Sequence, residues 1–125
     1  MEKNELEFAG AYNPLYLIRN NELIVTKADR FAIGWTSSES GQKFTSHKIK
    51  LEKGDTTYIF SDGFADQFGG EIGKKFMIRN LKKLLLDIQD LSMKEQKTRL
   101  EETFETWRGN EEQIDDVIII GTRYE

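Results

Sequence analysis

Val117-Ile118-Ile119-Ile120 is a run of four apolar, β-branched residues near the end of the chain. Branching at Cβ favours extended backbone, and a strand without polar alternation offers no face to water. The run therefore predicts a strand buried on both faces, in the middle of a layered fold.

Two helices are expected immediately upstream. Met77, Leu81, Leu84, Leu85, Ile88 and Leu91 recur at three- and four-residue spacings and form one apolar stripe. Ser92 followed by Glu95 is a capping-box signature, Met93, Leu100, Phe104 and Trp107 share a face, and Gly109 suits the position just past the end. Earlier segments read as strands: Leu6–Ala9, Leu15–Arg19 and Glu22–Lys27 as a meander, with Asn20-Asn21 as a two-residue hairpin turn. Gly34–Gly41 reads as a polar loop, and His47, Ile49 and Leu51 alternate with Ser46, Lys48 and Lys50 as in a half-buried strand. Glu52-Lys53-Gly54-Asp55 turns the chain into Thr56–Phe60, and Gly69-Gly70 with Gly73 marks a loop before the first helix. The expectation is one α+β unit, an antiparallel sheet covered by a pair of helices.

With 125 residues the chain suffices for one core, and at 38% apolar and 32% charged it is too patterned for a disordered segment. It has no cysteine, which excludes disulfides, thiolate zinc sites and a thiol nucleophile. No apolar run approaches the ~20 residues of a membrane span, and Met1-Glu2-Lys3-Asn4-Glu5 opens no signal peptide. A cytoplasmic chain without membrane contact is expected. The net charge of −4 gives no field for nucleic acid. The basic cluster Lys74-Lys75, Arg79, Lys82 and Lys83 reads as the solvated face of a helix.

Asp62 stands at the end of one predicted strand, followed by Gly63, which permits a sharp turn; Asp115-Asp116 stands at the start of another. Neighbouring strands would bring these carboxylates together, and converging carboxylates repel unless a hard cation such as Mg2+ or Mn2+ lies between them. The plainer alternative is that Asp62-Gly63 is a turn and Asp115-Asp116 a polar strand start. His47, the single histidine, reads as a strand-face residue and not a ligand. Gly69–Lys75 fails as a phosphate-binding P-loop in its glycine interval and in Lys75, and Asp62–Asp66 fails as a calcium loop because Phe64 occupies a ligand position.

Tyr58-Ile59-Phe60-Ser61-Asp62-Gly63, preceded by Leu51-Glu52-Lys53-Gly54-Asp55, resembles the Leu-x-x-Gly-Asp and Ser/Thr-Asp-Gly block of SpoIIE-type phosphatases, a branch of the type 2C metal-dependent (PPM) superfamily. Its continuation Ala65-Asp66-Gln67-Phe68-Gly69-Gly70 resembles a form common in Bacteroidetes-like bacteria. Ala9-Gly10-Ala11-Tyr12-Asn13-Pro14-Leu15, Phe31-Ala32-Ile33-Gly34 and Gln113-Ile114-Asp115-Asp116-Val117 resemble three further blocks in family order, though Val117-Ile118 replaces a threonine-bearing tail and Tyr12 a usual histidine or asparagine.

The resemblance implies the C-terminal half of a catalytic domain, spanning residues 1–125, and half of a PPM-type α-β-β-α sandwich. It implies two divalent cations, Mn2+ or Mg2+, with Asp62 and Asp115 as ligands and Asp116 as an additional or supporting one. The activity implied for the full-length parent is dephosphorylation of phosphoserine or phosphothreonine on a bacterial regulatory protein, such as an anti-sigma-factor antagonist. A family domain also has an upstream half with another ligand aspartate in an Asp-x-x-Gly-His-Gly-like segment, which this sequence lacks. The chain alone is thus expected to be inactive, with that N-terminal half as its missing partner and any membrane tether upstream. The alternative is a non-catalytic, partner-binding or regulatory half-domain whose uncovered sheet would favour self-association.

Overall fold

The computed structural model describes residues 5–8, 13–27 and 47–125. The polar loop of 34–41, the Phe31–Gly34 block and residues 9–12 lie outside them. The strands are β1 (Glu5–Phe8), β2 (Leu15–Arg19), β3 (Glu22–Thr26), β4 (His47–Lys50), β5 (Thr56–Phe60), β6 (Phe68–Gly69), β7 (Lys74–Lys75) and β8 (Ile119–Arg123). The helices are α1 (Gly63–Asp66), α2 (Ile78–Asp87) and α3 (Met93–Arg108). A four-stranded antiparallel sheet runs β3-β2-β5-β8, and β1-β4 and β6-β7 form two-stranded ribbons. The α+β expectation of an antiparallel sheet covered by two helices holds.

Asn20 and Asn21 both take positive φ, 52° and 63°, and close the β2–β3 hairpin. The three-strand meander does not form. β1 pairs with β4, with Leu6 opposite Ile49, and β2 pairs on its other side with β5. A strand without a tight turn to its sequence neighbour takes the partner that tertiary packing supplies, and Asn13-Pro14 stands ahead of β2.

Paired residues of an antiparallel sheet point to the same side, so the register sorts the sheet into two faces. Tyr16, Ile18, Tyr58 and Phe60 occupy the helix-covered face and meet Leu81, Leu85 and Ile88 around α2 and Phe104 from α3. The capping box forms as the sequence implies: the Ser92 hydroxyl accepts from Glu95 N–H, the Glu95 carboxylate accepts from Ser92 N–H, and Gly109 ends α3 at φ 55°. Inside this layer the Tyr58 hydroxyl donates to Gln96 Oε1 and accepts from Gln89 Nε2 at 2.6 Å. Arg123 donates to the Gln89 carbonyl at 3.0 Å and the Leu91 carbonyl at 3.2 Å. Every polar group of the α2–α3 corner named here is paired, as burial requires.

The apolar run at 117–120 departs from expectation. The strand begins at Ile119, lies at the edge of the described sheet beside β5, and leaves Ile118 and Ile120 52% and 53% exposed. Ile119 packs on the core, but Ile120 lies opposite Ile59 on the other face, which no described element covers there. The run predicts burial because its residue types need it; the burying surface is not among the described residues. Met77 also departs, standing outside the helical stripe and exposed, and Lys74-Lys75 belong to β7 instead of a helix. The Gly69–Gly73 loop is the turn of the β6–β7 ribbon.

Between β4 and β5 the chain turns at Gly54, φ 94°, around a buried carboxylate. Asp55, 1% exposed, accepts from Arg19 Nε at 3.0 Å, Arg19 Nη2 at 2.7 Å and Glu52 N at 2.7 Å. The two-pronged bond from Arg19 holds the Asp55 carboxyl below the usual carboxylate range, against the opposing effect of burial.

Candidate functional site

The end of β5 and the start of β8 are adjacent because the two strands are antiparallel neighbours. Ser61 joins them. Its N–H donates to the Ile118 carbonyl at 2.9 Å, its hydroxyl donates to the Asp116 carbonyl at 2.9 Å, and its Oγ accepts from Ile118 N–H at 3.0 Å. One residue thus fixes Asp115-Asp116 beside Asp62. The next residue makes the approach possible: a Cβ on Gly63 would stand 2.1 Å from the Asp116 carbonyl oxygen, so any side chain would force the two segments apart.

Asp62 is the N-cap of α1 without making a capping bond through its side chain, so its carboxylate is not spent on its own helix. Asp115 Oδ1 accepts from Asp116 N–H at 2.8 Å, and Gln113 Nε2 donates to the Asp115 carbonyl at 3.0 Å. All three aspartates are exposed. The structure brings the two acidic segments together, as the strand-end argument expects. Their oxygen donors suit a hard divalent cation in kind. They do not suffice in number: among the described residues no group of three or more His, Cys, Asp or Glu is placed to hold an ion.

Sequence reasoning missed what backs this arrangement. Gln67 is fully buried, and its Nε2 donates to the Phe68 carbonyl at 3.0 Å and the Glu112 carbonyl at 2.9 Å, tying α1 to the segment that leads into Asp115. Trp107 Nε1 donates to the Gln67 carbonyl at 2.9 Å, and Gly70 N–H donates to the Trp107 carbonyl at 2.9 Å. A Cβ on Gly69 would lie 1.9 Å from that same carbonyl oxygen, so the consecutive glycines admit the end of α3. The available signal was the Gly69-Gly70 pair itself, which reads as a loop until a tryptophan is seen against it.

Asp62 also lines a cleft of about 490 Å³ that reaches Asp66, Lys75 and Lys82. A second groove, of about 680 Å³, runs between α3 and β8 and includes Val117, Ile119 and Ile120.

The profile of the family described as Stage II sporulation protein E (SpoIIE) matches residues 1–125. The chain belongs to the SpoIIE family. Among solved structures this SpoIIE-family chain is similar to the SiaA-PP2C domain of Pseudomonas aeruginosa, at 32% identity and TM-score 0.87, over 98% of this chain and 48% of that one. It shares its fold with the Mn-presoaked phosphatase domain of SpoIIE from Bacillus subtilis, at 17% identity and TM-score 0.63, over 97% and 51%. It likewise shares its fold with the catalytic domain of the serine/threonine phosphatase PstP in complex with two manganese ions, at 19% identity and TM-score 0.61, over 100% and 56%. A search of curated protein sequences returns no match. The chain spans about half the length of these solved chains, so it has the fold of part of a PP2C-type phosphatase domain. Among the described residues no helix is long and apolar enough to cross a membrane.

Proposed function

We propose that this chain is the C-terminal half of a metal-dependent serine/threonine phosphatase domain and becomes active with an upstream half of the same domain. The observation that carries the reading is the Ser61–Gly63 junction, which places Asp62 beside Asp115-Asp116 at the ends of paired strands. Asp62, Asp115 and Asp116 would supply part of the oxygen shell for two divalent cations, Mn2+ or Mg2+. Such a pair, when bound, lowers the pKa of water for attack on phosphorus and offsets charge on the attacking and leaving oxygens. This chain's own part is positional: Ser61 and Gly63 keep the acidic segments in register, while Gln67 and Trp107 hold them from behind.

Two observations support the need for an upstream half: the described carboxylates are too few for a complete site, and Ile59 and Ile120 stand exposed on a sheet face that no described element covers there. The chain's share of the solved domains, 48 to 56%, fits the same reading. The substrate class is a phosphoserine or phosphothreonine residue of a bacterial regulatory protein, and the setting is the cytoplasm. Mn2+-dependent hydrolysis of a phosphopeptide by this chain and by the chain extended upstream through its reading frame tests the proposal, with Asp62→Asn as control. Activity in the extended protein alone, lost on substitution, is the expected result. Inactivity of both would favour a partner-binding or regulatory half-domain that self-associates through the open sheet.

A further inference from the structure

The cleft beside Asp62 has features that metal binding does not explain. Buried Tyr16 and Phe60 line it together with exposed Val25, Met77 and Ile78. Three lysines, Lys27, Lys75 and Lys82, share it with only two carboxylates, Asp62 and Asp66, in a chain whose net charge is −4. With Asp62 given to a cation, the cleft is positive. Lys75 Nζ stands 3.8 Å from Asp66 Oδ1, both side chains about half exposed, a weak and solvated pairing open to exchange. Lys82 Nζ lies 5.8 Å from the Tyr16 ring centroid, held at the cleft by the ring face.

Met77 adds an independent observation. Its backbone sits at φ 81°, ψ 145°, a region that a non-glycine residue occupies only under strain. Its N–H donates to the Ala65 carbonyl at 2.8 Å, and its carbonyl accepts the first bonds of α2. This strained position holds an apolar side chain 45% exposed at the cleft instead of in the core. Strain combined with an exposed apolar side chain, beside a candidate reacting centre, is the pattern of a binding residue.

Resting on the phosphatase reading, we propose that this cleft receives the polypeptide flanking the substrate's phospho-residue and selects flanks that join an apolar side chain to acidic ones. The apolar side chain packs on Val25, Met77 and Ile78, and the acidic groups pair with Lys27, Lys75 and Lys82, where charge complementarity fixes register.

Fluorescence anisotropy with this chain tests the inference apart from turnover. The probes are a fluorescein-labelled peptide with phosphoserine between leucine and glutamate residues, and its counterpart with lysine replacing glutamate. The wild type should prefer the acidic peptide roughly tenfold, the sum of three exposed pairs at about 0.5 kcal/mol each. Lys75→Glu with Lys82→Glu should reverse that preference. Met77→Gly should be at least as stable in denaturant titration, because the backbone strain is relieved, yet bind the acidic peptide several-fold more weakly. Equal or absent binding of both peptides by the wild type, or a preference unmoved by the charge swap, would overturn the assignment. Turnover by the extended protein without peptide preference leaves the phosphatase and removes the docking cleft; preference without turnover does the reverse.

Discussion

The two faces of the four-stranded sheet carry similar residues and meet different fates. On one, Tyr16, Ile18, Tyr58 and Phe60 are sealed under α2 and α3, and the Tyr58 hydroxyl is paired with Gln89 and Gln96, with Arg123 bonded to the Gln89 carbonyl. On the other, Leu15 and Leu17 are buried on β2, but Ile24, Ile59 and Ile120 stand open across β3, β5 and β8. Arg19, at the end of β2, donates to the Lys50 carbonyl at 2.9 Å, so β4 comes against that end of the sheet. The difference teaches that the described residues complete one layer interface and leave part of the opposite face uncovered. Asp62 and Asp115-Asp116 lie where β5 ends and the segment leading into β8 begins.

The sharpest break in that contrast comes from deleting a side chain on the sealed face. Leu85→Ala should destabilise by about 3 kcal/mol, from lost burial plus the cavity left behind, read as a shift in urea midpoint at constant slope. Asp55→Asn comes next, at about 2–3 kcal/mol, because Arg19 would lose a charged, two-pronged partner. Its signature is in pH. A carboxyl whose folded pKa is depressed contributes fully above its unfolded value of about 4 and loses that contribution as pH falls through the folded value. Denaturation midpoints measured from neutral to strongly acidic pH should converge for the two proteins at the acid end; a constant gap would show that Asp55 acts by shape alone.

Ser61→Ala should cost about 1 kcal/mol, since its bonds to Asp116 and Ile118 are partly replaced by water. The more telling readout is faster amide hydrogen exchange at Ile118 with little change on the helical face. Smallest of all is Ile120→Thr on the open face, expected within ~0.5 kcal/mol of the wild type in stability. Any self-association of the wild type in sedimentation should be weaker in the variant, and a loss of several kcal/mol instead would mean that the face is already covered.

Much of the finished layer was legible in residue patterns. The α2 stripe, the Ser92–Glu95 box and the Asn20-Asn21 turn each depend on side chains three or four positions apart, or adjacent, so local sequence carries them whole. The approach of the Ser61–Gly63 segment to Asp115-Asp116 was legible as a consequence of strand ends, and the resemblance to the phosphatase family implies a ligand role for those aspartates. The supports were not. Gln67 bonds a carbonyl 45 positions away, and Asp55 receives an arginine 36 positions away, and neither distance leaves a periodic trace.

What the sequence determined alone is the two long helices, the longer strands and the demand of each for burial, including that of Val117–Ile120; the short α1 and the β6–β7 ribbon were not in it. Tertiary structure decided which demands are met. It put β8 at the edge of the described sheet, where the strand has one described neighbour and one covered face, because burial depends on the surface brought against a strand and not on the strand's own composition. It also made Gly63 indispensable, since only the packed fold carries the Asp116 carbonyl to where a side chain would have been.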